Sequence, residues 1–189
     1  MDTFDLRKYA YTFNDVLSPD YCETIVNHLE TVKWNKHTYH NPITDTRKSY
    51  DDDLYTAYLE KTDQINIDLM ETIYKVLHTY YNTLNFSWFN SWSGYSQVRF
   101  NKYSENTNMK KHHDAIKTLF EGTVRGDPTL SILGALNDDY EGGDLIFWND
   151  TKIELKAGSV MVFPSTFLYP HSVETITKGT RYSFVSWVY

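Results

Sequence analysis

From Ser93 to Tyr189 the chain reads as eight short β-like runs separated by turn residues. They are Ser93–Tyr103, a stretch near Lys111–Asp114, Thr129–Leu136, Asp144–Trp148, Lys152–Leu155, Ser159–Phe163, His171–Ile176 and Thr180–Tyr189. Gly142-Gly143, Gly158 and Gly179 punctuate them. Eight short strands after a helical region point to a two-sheet jelly-roll with helices packed on one outer face.

The helical region precedes Phe86. Residues 11–17 read as a short strand entering a turn. Ser18-Pro19-Asp20 is a helix start, with a serine N-cap, proline at the first helical position and an acid in the first turn. Ile25, Val26, Leu29 and Val32 then recur at helical spacing. Asp63 caps a second helix with Ile65, Leu69, Ile73, Val76, Leu77 and Tyr80 on one face. Between the helices, Trp34 to Asp53 is polar and without periodicity. It reads either as a solvated loop or as a segment covering a site. A second long connection, Ala115 to Pro128, begins just after a candidate ligand pair and reads as a lid. The expected class is α+β, mainly β, in one domain over 1–189. Residues 1–90 form a helical support region and 91–189 the jelly-roll core.

His112-x-Asp114 carries the chemistry. On a strand, residues i and i+2 point to one face, which puts an imidazole beside a carboxylate. His171, at the start of a later strand, is the natural third ligand. Two histidines and one carboxylate on one side of a metal leave positions open and suit non-haem Fe(II). His-x-Asp alone recurs by chance, and a lone histidine is usually a surface or core residue. The combination with the strand pattern is what points to a metal. His113 would face the opposite side of the strand and take a structural role. An iron site that activates O2 needs two further electrons, which a 2-oxo acid supplies by oxidative decarboxylation. Its far carboxylate needs a deep cation with a planar, two-pronged donor. Arg181, ten residues after His171, fits that need, and Ser183 on the same strand face would add a hydroxyl hydrogen bond. Lys178 competes for the role but sits in a Thr-Lys-Gly turn facing water.

Composition bounds the partners. The formal net charge is -7, which argues against nucleic acid or an anionic membrane held by charge. Cys22 is alone, so no internal disulfide forms and a reducing compartment is expected. The N-terminus has no basic and apolar signal regions, and no apolar run approaches a membrane span. The expectation is a cytoplasmic protein. Tyrosine and tryptophan are abundant, as an aromatic-lined cleft or a β-rich core requires.

Several stretches resemble the prolyl hydroxylases among the Fe(II)- and 2-oxoglutarate-dependent dioxygenases, closest to the small prolyl 4-hydroxylase-like proteins of bacteria and phages. They are Gln97–Tyr103, His112-x-Asp114, Leu136–Leu145, Gly158, Phe163-Pro164, His171-Ser172-Val173, Gly179–Tyr182 and Trp187. The resemblance is strong over roughly residues 90–189 and includes the first helix. It implies a double-stranded β-helix, with Fe(II) bound by His112, Asp114 and His171 and the 2-oxoglutarate C5 carboxylate bound by Arg181. It further implies that Tyr103 hydrogen-bonds 2-oxoglutarate, that Trp187 lines the substrate side, and that ascorbate keeps the iron ferrous. The implied reaction hydroxylates peptidyl proline while 2-oxoglutarate and O2 give succinate and CO2. One departure is visible: Ser104-Glu105-Asn106-Thr107-Asn108 stands where the family carries glycines, which bears on the substrate entrance. Two other readings stand beside this one. The first is the same chemistry on a free amino acid, another side chain or an alkylated base; the second is a non-catalytic jelly-roll module.

Overall fold

The computed structural model describes residues 5–41, 44–86, 92–116 and 126–189. Both helices start where local chemistry places them. Helix α1 (Pro19–Leu29) is capped by the Ser18 hydroxyl, which accepts from the Tyr21 amide at 3.2 Å. Helix α2 (Gln64–Leu84) is capped by the Asp63 carboxylate, which accepts from the Ile65 amide at 2.9 Å. It ends on Asn85 in the left-handed conformation, φ 47°, a position only glycine and asparagine fill readily.

The strands among the described residues are, in chain order, β1 (Tyr11–Phe13), β2 (Asn35–Lys36), β3 (Tyr39–Asn41), β4 (Thr46–Lys48), β5 (Tyr55–Ala57), β6 (Arg99–Tyr103), β7 (Met109–His112), β8 (Leu130–Ala135), β9 (Glu141–Gly142), β10 (Leu145–Phe147), β11 (Thr151–Ile153), β12 (Val160–Pro164), β13 (His171–Val173), β14 (Ile176–Lys178) and β15 (Arg181–Val188). A seven-stranded sheet has the order β1-β12-β8-β15-β6-β5-β2, and a four-stranded sheet the order β11-β10-β13-β7. The pairs within both are antiparallel.

The large sheet is buried on both faces, and strand alternation sorts its side chains into two cores. Phe100, Ile132, Val162, Phe184 and Val188 pack with Ile25, Leu29, Leu69, Ile73 and Leu77 of the helices. Tyr103, Leu133, Phe163, Val185 and Trp187 point the other way, onto Met109, Leu145, Phe147 and Val173 of the small sheet. This is the jelly-roll with helices on one outer face. Gly134 has to lack a side chain here, because a Cβ would stand 2.1 Å from the Phe184 ring.

Several boundaries differ from the sequence reading. The strand expected at the start of residues 11–17 covers Tyr11–Phe13, and the chain then turns. The run expected over His171–Ile176 is two strands, and β9 pairs with β14 in a small ribbon that the sequence did not announce. Asp114 lies beyond the end of β7. Residues 1–90 are more than helical support, since β1, β2 and β5 belong to the large sheet and β5 pairs directly with β6, Thr56 opposite Asn101. The polar stretch after Trp34 holds β2, β3 and β4. These strands are two or three residues long, too short to display an alternation, and β4 is exposed throughout. Of the expected lid at 115–128, residues 117–125 lie outside the described residues.

Candidate metal centre

The small sheet brings the two histidines together. His171 pairs across the ladder with His112, and their ring centroids are 4.4 Å apart. Asp114 reaches them from the turn after β7. Its Oδ1 lies 3.4 Å from His112 Nε2 and 3.9 Å from His171 Nε2. The donor atoms of the three residues all fall within 4.8 Å of one another. The same-face argument from His-x-Asp therefore gave the correct neighbours by a route the chain does not take. The turn, and not strand pleating, aims the carboxylate. His113 is not part of the cluster, and its Nδ1 is buried without a partner among the described residues.

Each donor is oriented from behind. His112 Nδ1 lies 2.7 Å from the Lys110 carbonyl, and His171 Nδ1 lies 3.1 Å from that of Tyr169. A carbonyl only accepts, so Nδ1 carries the proton in both rings and each Nε2 keeps its lone pair. The Ser131 hydroxyl donates to Asp114 Oδ2 at 2.6 Å and is itself 2.8 Å from the Ser165 hydroxyl. That leaves Oδ1 for the site. Phe147 stacks on the His171 ring at 5.2 Å and Phe163 meets it edge-on at 5.1 Å. Burial pushes the His171 pKa down to about 4 despite the opposing charge of Asp114. Burial would raise the Asp114 carboxyl, but the adjoining His112 and His171 rings and the Ser131 hydroxyl outweigh it and hold it well below the usual range. The set is two imidazole nitrogens and a carboxylate oxygen, a donor combination that fits a divalent ion such as Fe(II).

Arg181 stands on β15, opposite Tyr103 of β6. It is 2% exposed. Its Nε donates to the Tyr140 hydroxyl at 3.1 Å, its Nη1 to Ser183 Oγ at 3.3 Å, and its guanidinium carbon sits 5.0 Å from the Tyr103 ring centroid. No carboxylate among the described residues pairs with it. A buried guanidinium held only by hydroxyls and a ring face has charge to offer an anion. Gly143, with φ +66°, passes close by; a Cβ there would stand 2.3 Å from Ile176 and 3.4 Å from Arg181 Cδ. Lys178 is exposed and paired with Glu141 at 2.8 Å, which removes it as a competitor for a buried anion.

A cavity of about 650 Å3 opens beside the cluster. His112, Asp114, Trp187, Arg99, His37 and Tyr39 are in its wall, whereas His171, Arg181, Tyr103 and Ser183 are not. The segment after Trp34 thus lines the site, in line with the covering role rather than the plain loop. The Ser104–Asn108 turn stays out of the wall. Asn106 takes the left-handed position (φ 65°) that a glycine would fill, and Asn108 ties the turn to Asp52 through a 3.0 Å side-chain bond. Sequence reasoning missed Ser131, Ser165, Tyr140, His37 and Arg99. Tyr140 lay within the Leu136–Leu145 motif, and Ser131 shares the strand parity of Leu133 and Ala135. Arg99 lay within the Gln97–Tyr103 stretch, and nothing local marks Ser165 or His37.

The model of the 2OG-Fe(II) oxygenase superfamily matches residues 98–189. A PKHD-type hydroxylase of Acinetobacter baumannii is 38% identical over 96 residues, which are 47% of this chain and 41% of that protein. One of Crocosphaera subtropica is 34% identical over 95 residues, 49% of this chain and 42% of the relative. The matches thus span about two-fifths of the length of these curated relatives. Among solved structures, a prolyl hydroxylase of Trichoplax adhaerens, in complex with a hypoxia inducible factor oxygen degradation domain peptide fragment, superposes with a TM-score of 0.69 at 15% identity, over 95% of this chain and 83% of that one. The viral collagen prolyl hydroxylase of Paramecium Bursaria Chlorella virus-1, in complex with 2OG, gives 0.68 at 14% identity, over 95% and 94%. At such identities these two speak for the fold alone. Residues 98–189 are thus similar to the 2OG-Fe(II) oxygenase superfamily, and the described residues share the fold of these prolyl hydroxylases.

Proposed function

We propose that this protein is a Fe(II)- and 2-oxoglutarate-dependent dioxygenase that hydroxylates proline within a peptide or protein, with the described elements acting as one catalytic unit. The observation that carries the reading is the His112, Asp114 and His171 cluster beside a cavity, with a buried Arg181 that lacks a carboxylate partner among the described residues. Iron held by that cluster would supply O2 activation coupled to decarboxylation of 2-oxoglutarate, with ascorbate as the reductant that keeps it ferrous. The chain's own residues do the rest. His112, Asp114 and His171 hold the ion, and their Lys110, Tyr169 and Ser131 partners keep the donors aimed. Arg181, with Tyr103, Tyr140 and Ser183 around it, takes the far carboxylate of the cosubstrate. Trp187 and the β2–β3 segment shape the substrate side and exclude water.

Hydroxylation is supported by the relatives, which are described as PKHD-type hydroxylases, and proline as the target by a fold shared with prolyl hydroxylases. The cavity's breadth and its aromatic wall suit an extended proline peptide. The test is to incubate the iron-loaded protein with 2-oxoglutarate, offer free L-proline and a panel of proline peptides, and follow succinate and a mass gain of one oxygen. Peptide product with free proline untouched supports the reading. Robust hydroxylation of free proline alone overturns the substrate, and no succinate under any condition overturns the chemistry.

A further inference from the structure

We propose that Arg99 binds a carboxylate of the substrate, so that the cavity selects a target residue with an acidic group beside it. This rests on the peptidyl-proline reading for the identity of the target. Arg99 opens β6 on the same face as Asn101 and Tyr103, and it lies opposite Val185 of β15. Its guanidinium carbon sits 4.7 Å from the centroid of the Trp187 ring. Nε donates to Asn101 Oδ1 at 3.2 Å. A guanidinium has five N–H donors, and the four on its outer nitrogens find no carboxylate among the described residues.

The wall around it is rich in donors and poor in acceptors. Its cations are Lys36, Arg47 and Arg99, while its one carboxylate among the described residues, Asp114, is turned to the two histidines; Lys36 Nζ donates to the Asp51 carbonyl at 2.9 Å and Arg47 has a partner of its own, which leaves Arg99 as the cation with donors to offer. Trp187 Nε1 is buried and has no acceptor among the described residues. This local excess of positive charge stands within a chain of net charge -7. Buried or half-buried donors without acceptors cost stability unless a ligand brings the acceptors. A carboxylate meets a stacked guanidinium in two-pronged fashion, and the neighbouring peptide carbonyls are acceptors for the indole. Arg181 does not lie in this wall, so the two arginines serve two different carboxylates: Arg181 that of the cosubstrate and Arg99 that of the substrate.

The carboxylate can come from an Asp or Glu side chain next to the proline or from the C-terminus of a peptide ending in proline. Binding under anaerobic conditions, with Fe(II) and 2-oxoglutarate present and no turnover, separates these. The probes are a proline peptide with Asp beside the proline, its Asn counterpart, the same pair with proline replaced by alanine, and a peptide ending in proline as free acid or amide. Wild-type protein should bind at least one acid form about 10-fold more tightly than its amide counterpart, the size of one charge-assisted hydrogen bond. Whichever pair shows the ratio names the source. In Arg99→Gln the ratio should collapse towards one, and Arg99→Lys should restore part of it. Equal binding of acid and amide by the wild type overturns the proposal without recourse to any variant. So does a ratio that persists in Arg99→Gln, or a loss of 2-oxoglutarate affinity in that variant as large as the loss for peptide. An acid preference that survives replacement of proline by alanine upholds Arg99 and removes proline as the recognised feature; a proline preference without an acid preference does the reverse.

Discussion

At the scale of single residues, the three candidate ligands are not equivalent structurally. His112 and Asp114 sit at the cavity wall. His112→Ala and Asp114→Ala should both abolish iron-dependent 2-oxoglutarate turnover, the first with little change in the melting temperature and the second with some loss of stability, because the folded state holds the Asp114 carboxyl well below its usual pKa. His171 lies between Phe147 and Phe163 and is 5% exposed. His171→Ala should lose activity and also about 2–4 kcal/mol of stability, because a void replaces a packed ring; denaturant melts beside a turnover assay check both. Normal turnover in His112→Ala with loss in His113→Ala would put the ligand register one residue off. Ser131→Ala should weaken iron binding roughly 10–100-fold while sparing the fold, since it frees the Asp114 oxygen that the serine holds. For Arg181→Ala the expected loss of 2-oxoglutarate affinity is about 2–5 kcal/mol, with Arg181→Lys milder but not neutral. Titration of the cosubstrate against iron-loaded protein measures this, and unchanged affinity in Arg181→Ala would give the carboxylate to another cation.

At the scale of elements, strand parity is the organising fact. One residue of slip in β15 would turn Arg181, Ser183 and Trp187 towards the helices and bring Tyr182 and Phe184 into the site. The register is pinned where β8 offers Gly134 to the Phe184 ring. Gly134→Ala should therefore destabilise the protein by about 1–3 kcal/mol, the usual cost of overpacking a close-packed interior, and in doing so disturb β15 and the Arg181 pocket. Thermal melts give the first effect. A parallel loss of 2-oxoglutarate affinity, though Gly134 touches no ligand, gives the second. A variant as stable as the wild type would show that Phe184 has room to move.

For the whole molecule, the metal-free protein should be sensitive to mild acid. Burial pushes the pKa of both His37 and His171 down to about 4 from an ordinary 6.5. In that window the unfolded chain binds protons that the folded chain does not, so stability falls as pH falls from about 6.5 to 4. The depressed Asp114 carboxyl acts in the same direction at lower pH, because its protonation in the unfolded chain precedes that in the folded one. Urea melts of the metal-free protein at pH 7.5, 6 and 5 should show a steadily falling midpoint. A flat midpoint would show that the two imidazoles are not buried in the neutral form. Iron should reduce the slope at the upper end of the range, since a bound cation favours the unprotonated donors. Among the described residues no helix is long and apolar enough to cross a membrane.

Local chemistry made much of this protein legible in its sequence. Ser18-Pro19 and Asp63 announce the helix starts because capping depends on a few adjacent residues, and the long apolar faces of α1 and α2 announce what they bury. The residue types of His112, Asp114, His171 and Arg181 restrict the site to a narrow chemistry wherever the fold puts them. What only the tertiary structure decided depends on pairs distant in sequence. Ser131 lies behind Asp114, Phe147 and Phe163 clamp His171, and Arg99 rests on Trp187, because strands from different parts of the chain share a sheet or face one another across it. The short strands after Trp34 were equally hidden: they are stabilised by pairing and leave no periodic pattern. Hydrogen-bond ladders and ring contacts between remote segments carry no local signature, so a single sequence names the donors and the fold decides which of them meet.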